Sequence, residues 1–194
     1  MSDLAFQGKP QLHRNSFEIF GLEPRFEIDK AKLTERFHHL MHAVHPDRHV
    51  GASEAERRLA MQWSSRINEA YRELLKPLSR AKLLCEIAAG PVDLLQTTMP
   101  AAFLMQQMQW REDFEAIVHH ADRVVLLDKL EAALRQTAKE LAGQFAQITP
   151  ALSGSNPSEP AKLAVELLRQ WMFIEKFLDD IEQQRMQWLE VLPS

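Results

Sequence analysis

The chain has 194 residues, enough for one or two small domains with real cores, and 45 % of them are hydrophobic and 26 % charged. A formal net charge of −4 disfavours broad nucleic-acid binding, and a single cysteine excludes an internal disulfide framework and a Cys-rich metal site. With only 6 Gly and 1 Tyr, sparse Val and Ile runs, and many Leu, Ala, Gln, Glu and Met residues, the composition favours helix over sheet.

The first 14 residues are polar, hold Gly8 and Pro10, and are expected to form a flexible leader; they contain no signal-peptide core. Asn15 or Ser16 is positioned to cap a short helix carrying Phe17 and Phe20, ended by Gly21 and Pro24. Asp29 opens a second helix, whose Leu33, Phe37, Leu40 and Val44 step by 4, 3 and 4 along one face. Pro46 stops it, because a proline pushes the residue before it out of the α region. A third helix starts near Ser53, with Glu56 completing a capping box. Its apolar positions are Ala60, Trp63, Ile67, Ala70 and Leu74, and it should pack antiparallel to the second helix. Pro77 breaks that pattern, residues 77–89 form a bridging helix, and GPVDLLQTTMP (90–100) is a loop.

Three longer helical patterns follow, at 101–118, 121–147 and 159–191, and read as a three-helix bundle. The middle one repeats Val124, Leu127, Leu130, Leu134, Ala138, Leu141 and Phe145, and TPALSGSNPSEP links it to the last as a turn-rich loop. No window reaches the apolar length of a membrane span, so a soluble protein of a reducing compartment is expected.

Two places carry candidate chemistry. The first is AVHPDRHV (43–50), on the exposed connection of the helical hairpin. Its His45-Pro46-Asp47 admits a metal site, an acid–base pair, a protein contact or a plain helix stop. His38 and His42, like His45 and His49, are four apart, the spacing that sets two ligands on one helix face. No HExxH motif and no nearby cysteine accompany them, and a solvated polar face is the plainer reading. His119, His120 and Asp122 likewise sit near a helix end without further partners.

The second place is FLMQQMQWREDFEAI (103–117). At about 100° per residue, Phe103, Trp110, Phe114 and Ile117 form a core stripe, and Leu104, Met105, Met108 and Glu112 lie on another side. A bundle helix needs one apolar stripe. A second one containing two methionines is either covered by the bridge helix or the first domain, or is a contact surface. Periodicity leaves both open. Cys85, among Leu83, Leu84, Ile87 and Ala88, reads as a buried structural thiol.

FEIFGLEPRFEIDKAKLTERFHHL, HPDR and INEAYRELLKPLSRAKLL together resemble a J-domain. AFLMQQMQWREDFEAI and LLRQWMFIEKFLDDIE resemble the C-terminal domain of HscB-type co-chaperones of iron–sulfur cluster biogenesis, so the resemblance runs from about Ser16 to Leu192. Behind the leader (1–14), which lies outside it, the resemblance implies an all-α, L-shaped, non-enzymatic protein with a J-domain hairpin (15–76), a bridging helix and linker (77–100) and a scaffold-binding three-helix bundle (101–194). It implies stimulation of the ATPase of a DnaK/HscA-type chaperone and delivery of an IscU-type scaffold to it.

Under this resemblance the chaperone contacts are His45, Pro46, Asp47, Lys30, Lys32, Arg36 and Arg48, and the scaffold contacts are Leu104, Met105, Met108, Glu112 and Phe173. Asp47 suits an arginine of the partner, and Pro46 stiffens its presentation. Gln109 and Ala116 depart from the family, which commonly has acids there. His38, His39 and His42 make the second-helix face less basic than is usual, so docking is expected to strengthen as the pH falls. No cofactor, resident metal, nucleic acid or membrane is expected. One cysteine cannot hold a cluster within the chain. Without a Cys-rich segment or Arg-rich transit peptide, a bacterial cytoplasmic member is the expectation. A general J-protein with other clients, or a His-metal enzyme, are the alternatives.

Overall fold

The computed structural model describes residues 14–45, 53–92, 99–154 and 157–190. The described residues form helices and connections only: α1 (Ser16–Ile19), α2 (Lys30–Ala43), α3 (Glu54–Leu75), α4 (Pro77–Ala89), α5 (Ala101–Val118), α6 (Arg123–Leu152) and α7 (Ser158–Glu190). None of these is long and apolar enough to cross a membrane. The chain divides into two compact units, and the division falls within α4, between Leu84 and Cys85.

In the first unit the starts of α1, α2 and α3 are set by their caps. The Asn15 side chain accepts from the Glu18 N–H at 3.1 Å, and the Asn15 N–H donates to the Glu18 carboxylate at 2.9 Å. Asp29 Oδ1 accepts from Ala31 and Lys32 at 2.9 and 3.1 Å, and Ser53 and Glu56 form the expected reciprocal pair. Gly21 ends α1 at φ +57°, a left-handed turn that glycine adopts without a Cβ penalty.

Helices α2 and α3 run antiparallel. Near one end the Thr34 hydroxyl meets the Tyr71 hydroxyl at 3.1 Å, and near the other the Asn68 amide meets Met41 Sδ at 3.6 Å. Phe37 stacks on Tyr71 with ring centroids 4.2 Å apart. All five expected α3 positions are buried, packed with Phe17, Phe20, Phe26, Leu33 and Val44, while Phe37 and Leu40 are half-buried.

Arg80, a residue that no pattern singles out, is also buried. Its Nε donates to the Phe26 carbonyl at 2.6 Å, its Nη1 to the Leu74 carbonyl at the end of α3, and its guanidinium lies over the Phe26 ring. It therefore ties the α1–α2 connection to the α3–α4 corner. Burial lowers its pKa, with Glu27 opposing.

The second unit is built on the long antiparallel pair α6 and α7. Leu127, Leu130, Leu134, Ala138, Leu141 and Phe145 of α6 are buried, as are Leu167, Ile174, Phe177 and Ile181 of α7. Val124, expected in the same stripe, is 53 % exposed, because it lies in the first turn of α6. The antiparallel register is marked by Arg185, which donates to Asp128 at 2.8 Å and to Glu131 at 2.7 Å.

Helix α6 also runs further than its sequence suggests, through Pro150 to Leu152. A proline in the last turn removes only one helical hydrogen bond. The Thr149 hydroxyl donates to the Phe145 carbonyl at 2.8 Å, and Leu152 is buried, so packing carries the helix beyond the proline. Cys85 is fully buried, as expected. Burial, helped by the Glu86 charge, pushes its thiol up to about 12, which keeps it protonated and unreactive at neutral pH.

Candidate functional site: two contact surfaces

Among the described residues, the candidate cations Lys30, Lys32 and Arg36 do not share one face of α2. Helix geometry places Lys30 and Arg36 on the two edges of the buried stripe of α2, and Lys32 on the outer face. The Arg36 guanidinium turns back to α1 and donates to the carbonyls of Phe20 and Gly21, the latter at 2.5 Å. It thus satisfies carbonyls at the end of α1, a role not visible from spacing. The outer face of α2 carries Lys32, Glu35, His38, His39 and His42, and leads to exposed His45. Lys30 and Lys32 start the helix, about 20 Å along its axis from His45. The side chains nearest His45 on that face are therefore imidazoles. Pro46, Asp47, Arg48 and His49 lie outside the described residues, as does the leader up to residue 13.

No group of three or more His, Cys, Asp or Glu residues able to hold a metal occurs among the described residues. His120 acts locally, since its Nδ1 accepts from the Asp122 N–H at 3.0 Å and closes the turn before α6.

On the second unit the α5 residues separate as their spacing predicts. Trp110 and Ile117 are buried, and Phe103 and Phe114 are half-buried. Leu104, Met105 and Met108 are 41 %, 72 % and 63 % exposed, and Glu112 is exposed one turn after Met108. Successive turns of α5 thus present an apolar strip ending in a carboxylate. Phe173 of α7 is half-buried beside this helix. Its ring meets Phe103 edge-on at 6.0 Å and Phe177 at 6.0 Å, so the α5–α7 contact fixes it in place. Ala116 is exposed, and the Gln109 amide donates to Asp113 at 2.9 Å, one turn along the same helix. The structure therefore brings the five α5 and α7 candidates to one helix pair. It also shows Arg111, which spacing does not single out, lying against the Phe173 and Phe177 rings.

Residues 99–182 match the family model described as the HSCB C-terminal oligomerisation domain. The chain is 40 % identical to the co-chaperone protein HscB homolog of Bordetella petrii over 172 residues, covering 87 % of this chain and 95 % of that one. It is also 40 % identical to the homolog of Azoarcus sp. over 173 residues, covering 88 % and 93 %. Among solved structures, chaperone HscB from Vibrio cholerae superposes with a TM-score of 0.70 at 30 % identity, covering 90 % of this chain and 99 % of that one. Human co-chaperone HscB superposes with a TM-score of 0.78 at 22 % identity, covering 92 % and 85 %, and shares the fold.

Proposed function

The chain belongs to the HscB family of non-enzymatic co-chaperones, and from that premise we propose that it stimulates the ATPase of an HscA/DnaK-type chaperone and delivers an IscU-type scaffold to it. Residues 15–76 act as the J-domain, 77–100 connect, and 101–194 bind the scaffold. The observation that carries this reading is the strip Leu104, Met105 and Met108, which the helix pair leaves exposed beside a fixed Phe173. Methionines adapt to a partner's shape, and an exposed apolar strip bordered by polar residues is what a protein contact requires.

For the chaperone contact the sequence His45-Pro46-Asp47 supplies a carboxylate next to a proline of fixed φ, a pair suited to receive a cation from the chaperone. Of the expected cations, Lys32 shares the exposed α2 face that leads to His45, whereas Arg36 is engaged with α1. One chain holding both partners raises their effective concentration without any new contact between them. The bacterial relatives support a cytoplasmic location.

The two surfaces should separate under mutation. Asp47→Ala is expected to abolish ATPase stimulation and leave scaffold binding unchanged. Met105→Ala with Phe173→Ala is expected to lose scaffold binding and keep stimulation of the chaperone alone. Both defects appearing in either variant would contradict a two-surface protein.

A further inference from the structure

Arg111 has an unusual environment for an exposed cation. Its guanidinium carbon lies 5.7 Å from the Phe173 ring centroid and 5.9 Å from that of Phe177. Those rings are themselves locked: Phe177 is buried and meets Phe114 edge-on at 5.6 Å, and Phe173 is wedged against Phe103. An arginine resting on two fixed aromatic rings gives up little further conformational freedom when it binds. Among the described residues its N–H groups make no hydrogen bond or ion pair, although Glu115 stands exposed one turn away. On the α5 wheel Arg111 is next to Leu104 and Met108, on the α7 side of the exposed strip. A pre-placed planar fork of donors thus stands at the rim of an apolar contact surface.

We propose that Arg111 is a specificity-determining residue of the second unit: held on Phe173 and Phe177, it receives a carboxylate of the scaffold protein as that protein's apolar side chains cover Leu104, Met105 and Met108. This rests on the scaffold-binding reading of the strip. A planar guanidinium matches a carboxylate through two parallel hydrogen bonds, which an ammonium cannot reproduce. Glu112, one turn after Met108, and Glu115, one turn after Arg111, are both exposed, so Arg111 is the cation of α5 beside the strip. A partner with an acid at the α7 edge of the strip and a base beyond Met108 matches this pattern of charges, and one with a base at the α7 edge meets the like charge of Arg111.

The test is a calorimetric titration of the full chain with an IscU-type scaffold at low and high salt, using wild type, Met105→Ala, Arg111→Met and Arg111→Lys. Arg111→Met keeps length and apolar contact with the rings. It is expected to weaken binding about tenfold at low salt and to flatten the salt dependence. Arg111→Lys, which keeps the charge but loses the fork, should fall between, at about threefold. Thermal melts of both variants should match wild type. Binding that weakens in Met105→Ala but stays within twofold in Arg111→Met would overturn the role of Arg111 and leave the docking surface standing. A loss in Arg111→Met that is equal at both salts, or that comes with a lowered melt, marks a packing role and also overturns it. No binding by wild type, or binding indifferent to Met105→Ala, removes the docking reading and this inference with it.

Discussion

Helices α3 and α5 divide their apolar residues in different ways. On α3 the five stripe positions Ala60, Trp63, Ile67, Ala70 and Leu74 are all buried, and Met61 is a single exposed methionine among polar neighbours. On α5 the core needs only Trp110 and Ile117, with half of Phe103 and Phe114, while Leu104, Met105 and Met108 stay outside. A helix that uses all its regularly spaced apolar residues is finished by its own fold. A helix with a surplus of them is finished by a partner. The two units therefore offer different contact chemistry: polar and imidazole groups on the outer face of α2, and apolar side chains flanked by Arg111 and Glu112 on α5.

Arginines differ between the units in the same sense. Arg80 and Arg36 in the first donate to backbone carbonyls and hold corners together, whereas Arg111 in the second rests on rings at a surface. Removing Arg80 should have the largest effect on folding. Arg80→Ala leaves buried carbonyls of Phe26 and Leu74 without their donor and is expected to destabilise the first unit by about 3 kcal/mol. Hydrogen exchange, read separately over α1–α3 and α6–α7, should show the loss only in the first set. Equal loss in both would break the distinction between the units.

Gly21→Ala should cost less, about 1–2 kcal/mol, since φ +57° strains any L side chain and a Cβ there would stand 3.4 Å from Arg36 Nη1. Chemical denaturation followed by hydrogen exchange over α1–α3 would measure it, and an unchanged midpoint would contradict a glycine-dependent stop of α1.

In the second unit the Arg185 bridge should be worth about 1 kcal/mol, and it makes stability depend on pH. The hydrogen bond from Arg135, joined by that from Arg185, outweighs burial and holds the Glu131 carboxyl below its usual range. Its contribution is therefore present above the ordinary carboxylate range and is lost as pH falls through the depressed value. Thermal melts over the acid range should show wild type losing more stability than Arg185→Gln. Parallel curves would contradict this.

Met105→Ser should have the smallest effect, within about 0.5 kcal/mol, because a 72 % exposed side chain adds little to the fold. A large loss would mean that the strip is core and not contact surface.

These cases also mark what the sequence could show. Period and capping residues located α1 to α5 closely, because Asn15, Asp29, Ser53 and Pro77 act locally. The end of α6 escaped, because Pro150 signals a stop that burial of Leu152 overrides. The exposed strip was legible as a second stripe, although periodicity alone could not say whether it was covered. The roles of Arg36, Arg80 and Arg111 were not legible, since each depends on residues brought near by folding: Phe20 and Gly21, Phe26 and Leu74, Phe173 and Phe177.

If the surplus apolar face of α5 binds an iron–sulfur scaffold, covering it should be both necessary for that binding and neutral for folding. Calorimetric titration of an IscU-type scaffold from the same cell into wild type and into a Leu104→Ala, Met105→Ala, Met108→Ala triple variant tests it directly. Wild type is expected to bind in the micromolar range, and the triple variant to lose that binding while keeping its melting temperature. Equal binding by both proteins, or none by wild type, would contradict it.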